Sequence, residues 1–333
     1  MKIIKKLIRF GVLVLLGLAA WMAWFAFRPL DLPVTPYQLT LEPGTSLKGL
    51  AMQLENDGVL EGETRFRILG RVMGYAGRLQ AGRYTLEEPL SPMELLGKIV
   101  RGEVTKAAIL LVEGWNIREV RQELARNPHL EHQLVDMTDA DMLGAIGAEE
   151  KHPEGLFFPD TYFFNPDSPD IDVLRRAYKL QQEKLLAAWE TRAPDLPYET
   201  PYEALIMASI IEKETGAPEE RPQIAAVFIN RLKMGMRLQT DPTVIYGLGA
   251  KFDGNLRKAD LQRDTPYNTY TRAGLPPTPI AMPGEEAIRA ALNPADSKAL
   301  YFVSRGDGTH VFSNSLDDHN RAVNKYQKSV VKK

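Results

Sequence analysis

The sequence predicts an α+β fold behind a single N-terminal transmembrane helix, and three observations predict it. A basic start, Lys2, Lys5, Lys6 and Arg9, precedes an uncharged apolar run from Phe10 to Phe27. Strand-like alternation and helix-like stripes then follow one another without the regular alternation of a parallel βαβ protein. Farther on, an almost unbroken apolar helical segment, Ala204 to Ile211, ends on a carboxylate, Glu212.

A length of 333 residues leaves room for about two domains and a sizeable core. The net charge of −2 argues against a nucleic-acid surface. With no cysteine, disulfide scaffolds, thiolate metal sites and thiol nucleophiles are excluded.

As a helix, the Phe10–Phe27 run spans about 27 Å, enough for a bilayer core with modest thinning. Positive charge stays inside, so residues 1–9 are expected in the cytoplasm and the chain beyond the helix in an exported compartment. Trp21, Trp24, Phe25 and Phe27 form an aromatic belt at the far end, and Arg28-Pro29 closes the segment, giving a transmembrane helix over 10–28. A cleaved signal peptide, cut near Gly17, Ala19 or Ala20, is the competing reading. Tryptophans continuing past any such site favour the anchor. Residues 29–36 are Pro-rich and read as an extended linker.

A small unit is expected over 37–110. Tyr37–Leu41 alternates like a strand, and Thr45 or Ser46 is placed to cap a helix with Leu47, Leu50, Ala51 and Leu54 inward. A second helix runs over about 64–74, and Gly82–Leu86 is a return strand. Ser91-Pro92 starts a helix that Gly102 stops. Thr105–Val112 reads as a fully apolar strand and Ile117–Ala125 as a helix.

The larger region, 111–333, opens with an irregular middle. Glu154–Phe164 is too interrupted by Pro and Gly for a helix and reads as a packed loop or short strand pair. A helix over about 171–189 follows. After the Glu212 helix comes one from about Pro222 to Met234, with Ile224, Val227, Phe228 and Leu232 inward. Met236–Thr240 is strand-like, and Asp241-Pro242 can cap a short helix. The polar stretch Asp264–Tyr270 and the Pro-rich Gly274–Pro279 form a long irregular segment of the kind that lines sites. Leu300–Ser304 and His310–Ser313 flank Gly306-Asp307-Gly308 as a hairpin.

Glu212 is the leading catalytic candidate. At helical spacing it lies over Ser209 and Ala208, so desolvation and the negative helix end both favour its protonated form. Thr215-Gly216 is expected to end the helix, with Gly216 at the C′ position. A carboxyl held protonated near neutral pH is what general-acid cleavage of a glycosidic bond requires. Glu214, two residues on, faces away and reads as a surface charge, and Asp241 reads as a helix N-cap. His129 and His132 have metal-compatible spacing, but no carboxylate pattern completes a site, so no metal and no cofactor are expected.

Several long motifs occur together in order: Ile210–Thr215, Phe228–Leu232, Met236–Thr243, Pro266–Tyr270, Gly274–Pro277 and Glu154–Tyr162. With the anchored architecture, they resemble the YceG-like (MltG) endolytic murein transglycosylases across essentially all of the chain beyond the anchor. The resemblance implies a LysM-like glycan-binding subdomain over 37–110 and a catalytic domain over 111–333. It assigns the catalytic role to Glu212, the first Glu of Glu-Lys-Glu-Thr. It implies internal cleavage of nascent peptidoglycan strands at the inner membrane, with the body in the periplasm, beside cell-wall synthases such as penicillin-binding proteins. Its products carry 1,6-anhydro-muramic ends.

Sugars are held by amides, hydroxyls and aromatic faces, so Gln239, Thr240, Asp241, Asn268, Tyr270 and Glu154 are candidate groove residues; loop-internal hydrogen bonding is the alternative for Gln239, Thr240, Asn268 and Tyr270, while a structural hydrogen bond is favoured for Glu154 and a helix N-cap for Asp241. Lytic cleavage needs only one acid–base group, because the sugar's own 6-hydroxyl attacks C1. Hydrolysis needs a second carboxylate, and none can be placed beside Glu212 from the sequence. A muramidase using Asp241, or an inactive glycan-binding scaffold, are the alternatives.

Overall fold

A computed structural model describes residues 2–328; Met1 and residues 329–333 lie outside the described residues. The chain forms two compact units. The first runs to Ala107 and includes Phe163–Pro166, and the second holds Ala108–Tyr162 and the chain from Asp167 on.

In the first unit, α1 (Lys2–Phe27) is one continuous helix. Its Ile3–Phe27 portion is long and apolar enough to cross a membrane. Trp21, Trp24 and Phe27 stay exposed on it, as a belt would be. Phe25 does not join them: it and Ala26 are buried in the core of this unit. Residues 29–36 form no helix or strand, and the start of this segment packs on the same core. Leu30 is buried, its N–H donates to the Leu90 carbonyl at 2.9 Å, and Leu32 packs on the same core. An apolar residue at every second position of Leu30-Asp31-Leu32 is enough to pin the segment down.

β1 (Tyr37–Leu41) alternates inward Tyr37, Leu39 and Leu41 with outward Gln38 and Thr40. α2 (Leu47–Asn56) starts where the Ser46 hydroxyl accepts from Gly49 N–H, and it buries Leu47, Leu50, Ala51 and Leu54. α3 (Glu63–Val72) buries Phe66 and Leu69. β2 (Gly82–Leu86) returns antiparallel to β1, with Leu39 opposite Tyr84. α4 (Pro92–Arg101) begins with a reciprocal Ser91–Glu94 capping box and ends at Gly102, whose φ of 66° suits glycine. The order is β-α-α-β followed by a helix.

The second unit begins within β3 (Ala107–Leu110), which is shorter and more exposed than the expected apolar strand: Ile109 is buried while Leu110 is exposed. α5 (Ile117–Arg126), β4 (Leu130–Glu131), α6 (Asp139–Ile146), β5 (Thr161–Phe164) and β6 (Ser168–Pro169) follow. β4 and β6 pair in parallel. Then come α7 (Asp170–Glu190), α8 (Pro201–Glu214), α9 (Arg221–Lys233), α10 (Asp241–Leu248), α11 (Lys258–Gln262) and α12 (Glu285–Leu292). The chain closes with the antiparallel hairpin of β7 (Tyr301–Ser304) and β8 (His310–Ser313), then α13 (Leu316–Val323).

α8 is the axis of this unit. Every residue from Ala204 to Ile211 is buried, and α12, α9, α7 and α10 pack around it. A helix apolar on all sides has no solvated face and must sit at a centre. Met236–Thr240 is not a strand. Its alternation has no partner strand; instead the Arg231 guanidinium donates to Leu238 O at 2.6 Å and to Leu300 O at 2.7 Å, and Gln239 N–H donates to Thr269 O at 3.2 Å.

Candidate active site

Thr200 caps α8 by accepting from Glu203 N–H, and Pro201 takes the first helical position. The apolar run then carries Glu212 to the last turn. The helix ends at Thr215 in extended conformation (φ −143°), not through a left-handed Gly216, so the glycine stop expected there is not used.

Two donors hold the Glu212 carboxylate. Arg221 Nη2, from the first residue of α9, lies 3.3 Å from Oε1, and Gly284 N–H donates to Oε2 at 3.0 Å. The side chains of Glu212 and Arg221 are only 6% and 9% exposed. The wholly apolar setting expected for Glu212 is therefore corrected: a guanidinium stands beside it. Arg221 also donates to Glu286. Ser209, one turn before Glu212, accepts from Ile280 N–H at 3.0 Å and donates to Ile206 O at 2.7 Å. It thereby fastens the 280–284 segment to α8.

A second carboxyl group borders this site. Glu113 precedes α5 in a segment bonded to 280–284: Gly114 N–H donates to Met282 O at 2.8 Å and Met282 N–H to Trp115 O at 2.7 Å. Lys213 Nζ donates to Gly114 O at 3.1 Å. The Glu113 carboxyl lies against Gly284, where a Cβ would overlap it. Burial, with the nearby Glu212 charge, pushes the Glu113 carboxyl above the usual range, while Arg221 opposes the shift. Sequence reasoning missed Glu113; its one local signal is a Glu-Gly pair just ahead of a helix cap. The expectation that no second carboxylate adjoins Glu212 does not hold.

The other candidates gather elsewhere. Glu214 is no surface charge: it accepts from the Thr240 hydroxyl, and burial pushes its carboxyl up. The Thr240 side chain is buried in that bond. Asp241 does not cap α10 but is its first residue, and its Oδ1 accepts from the Tyr270 hydroxyl at 2.6 Å. Gln239 is exposed with a left-handed φ of 51°, an unusual conformation for a residue other than glycine. Asn268 is buried; its amide donates to the carbonyls of Asp260, Leu261 and Arg263, and its oxygen accepts from Tyr270 N–H. Asn268 is therefore a loop staple, not a groove residue.

Glu154 is likewise internal. Its carboxylate accepts from Ile117 N–H at 3.0 Å and from the Tyr246 hydroxyl at 2.9 Å. Burial outweighs those bonds and pushes its pKa up to about 7. Gly274–Pro277 does not border Glu212; it lines a groove of about 550 Å³ with Tyr202, Ile206 and Leu232. His129 and His132 are exposed, and among the described residues no cluster of three metal-ligating side chains occurs.

An α+β body whose buried central helix ends on a clamped glutamate, with a second carboxyl alongside, defines a protein built for acid–base chemistry at a carboxyl-lined site. The chain belongs to the YceG-like family, whose model matches residues 39–325. It is 32% identical over 310 residues to a Bacillus subtilis protein named endolytic murein transglycosylase, covering 88% of this chain and 85% of that one. It is 27% identical to a Streptococcus pneumoniae protein of the same name, covering 93% of this chain but 63% of that longer one. The crystal structure of a YceG-like protein from Listeria monocytogenes superposes with a TM-score of 0.54 at 29% identity, over 86% of this chain and 98% of that one.

Proposed function

We propose that this chain is an endolytic murein transglycosylase with Glu212 as its single acid–base group. The observation that carries the reading is Glu212 itself, delivered by a buried helix and gripped at both oxygens, in a chain whose Bacillus subtilis relative, matched over most of its length, bears that activity in its name. Protonated Glu212 gives its proton to the glycosidic oxygen as the C1–O bond breaks. The muramic 6-hydroxyl attacks C1 and returns its proton to Glu212, closing the 1,6-anhydro ring without water. Attack within one sugar gains from being intramolecular. Arg221 and Gly284 N–H hold the carboxylate in place for each turnover.

Digestion of uncrosslinked glycan strands, read by mass with and without borohydride, tests this. The new ends should be one water lighter than reducing ends and unreactive to borohydride, and long strands should shorten to intermediate pieces first. Predominantly reducible ends would mean hydrolysis. Glu113 favours that second reading, because hydrolysis requires a second carboxyl in the cleft.

Three finer readings accompany the first. α1 anchors the chain in the inner membrane with the basic end in the cytoplasm and the body in the periplasm, supported by its length, apolarity and flanking charge. The β-α-α-β order of the first unit supports a LysM-like glycan-binding role. Gln239, Asp241 and Tyr270, which keep polar atoms near the surface, are the remaining groove candidates, and nascent strands beside a synthase are the setting. Membrane fractionation with N-terminal sequencing should recover the native start in the pellet. A soluble form beginning near Ala20 would sink the anchor.

A further inference from the structure

Glu113 and Glu212 bracket one glycine. Gly284 donates its N–H to Glu212, and the Glu113 carboxyl rests on the same residue where a side chain would stand. The φ of Gly284 is −77°, which any residue adopts, so space for Glu113 is what glycine provides here. The bracket is fixed by the paired hydrogen bonds between Gly114-Trp115 and Met282, and by Lys213, which donates to Gly114 O.

Among the described residues, the Glu113 carboxyl accepts no hydrogen bond from the protein, and the residue is exposed. The charged groups that face it are Glu212 and Lys213 from α8, Arg221 from α9 and Glu286 from α12. Arg221 is already divided between Glu212 and Glu286, and Lys213 is engaged by a carbonyl. Three carboxyl groups, Glu113, Glu212 and Glu286, therefore share two cations, Arg221 and Lys213.

We infer that Glu113 is a positioning residue for Glu212: the two carboxyls flank one glycine and act as a pair that holds one proton between them, so that an acid is loaded when glycan arrives. The inference rests on Glu212 being the acid proposed above. Two close carboxylates resist ionising together, so the pair retains one proton where either alone would lose it. Its apparent pKa values belong to the pair. The raised pKa of Glu113 fits membership in such a pair. During turnover Glu113 makes and breaks no bond. The proton leaves Glu212 for the departing oxygen, the 6-hydroxyl proton comes back, one C1–O bond breaks and another forms. The field of Glu113 favours that return.

The test is the pH profile of kcat/KM. Glu113→Gln keeps the side chain's size and removes its charge. Its basic limb should move toward acid by roughly one pH unit, because the pair of carboxyls that shares a proton is then reduced to one. Its maximal rate should fall far less than that of Glu212→Gln. Gly284→Ala displaces Glu113 without changing any charge, and should move the limb in the same direction. A limb that stays in place in both variants, whether the rate is unchanged or uniformly lowered, overturns the inference. Product ends are scored separately on the wild type. Reducible ends would overturn the transglycosylase reading, while the limb position would still decide the role of Glu113.

Discussion

Arg221 and Glu212 meet across the turn joining α8 to α9, Nη2 to Oε1 at 3.3 Å, with both side chains almost closed off from water. Removing one partner of such a pair strands the other charge, at a cost on the order of 3–5 kcal/mol. Arg221→Gln should therefore destabilise strongly in urea unfolding. Glu212→Gln should cost less, since an amide oxygen still accepts from Gly284 N–H and Arg221 keeps Glu286. A reversed order would mean that the pair is not what holds the turn.

Glu212→Gln should lose activity while keeping the fold. The amide cannot deliver a proton, and losing a general acid typically costs on the order of 10²–10⁴ in rate. Turnover on glycan strands within a few-fold of wild type, with an unchanged circular dichroism spectrum, would remove Glu212 from the acid role.

Glu154 makes stability depend on pH. Its carboxyl is pushed up to about 7 in the fold, against an ordinary value near 4.5. The folded state thus binds the proton more tightly than the unfolded one. The stabilisation is complete below about pH 4.5 and is lost as pH rises through 7, at up to about 1.4 kcal/mol per unit. Glu154→Gln cannot ionise; its amide oxygen can still accept from Ile117 N–H, and its amide N–H can donate to the Tyr246 hydroxyl oxygen. Its urea midpoint should fall less than that of wild type between pH 5 and 8. Parallel curves would show that Glu154 does not titrate in this range.

Asn268 should prove structural. Asn268→Ala removes a buried side chain that joins three loop carbonyls and one backbone N–H, and losing such hydrogen bonds costs about 0.5–1.5 kcal/mol each. The melting temperature should drop, and heat-induced exposure of the 260–270 loop to protease should begin earlier. An unchanged melting point would return Asn268 to the list of groove residues.

Much of the fold was legible because local chemistry and packing agree. Ser46 and Ser91 start helices where capping residues should, Leu47, Leu50, Ala51 and Leu54 form the stripe their spacing requires, and the hairpin turns at Gly306-Asp307-Gly308. Met236–Thr240 alternates like a strand, but a strand needs a neighbour, and the Arg231 side chain took that place. Glu214 was misjudged because the loop at Thr240, distant in sequence, covers the helix end. Glu113 was invisible for the same reason. It lies far from Glu212 along the chain, and only the 280–284 segment brings the two to one glycine.

Phe25 and Ala26 are the last turn of α1 and also interior residues of the first unit. The anchor is therefore not a detachable handle. A shortened chain beginning at Pro29 would pull two plugs from a closed interior and leave their neighbours facing water. One beginning upstream of Trp21 would keep the plugs in place and should give a well-behaved body.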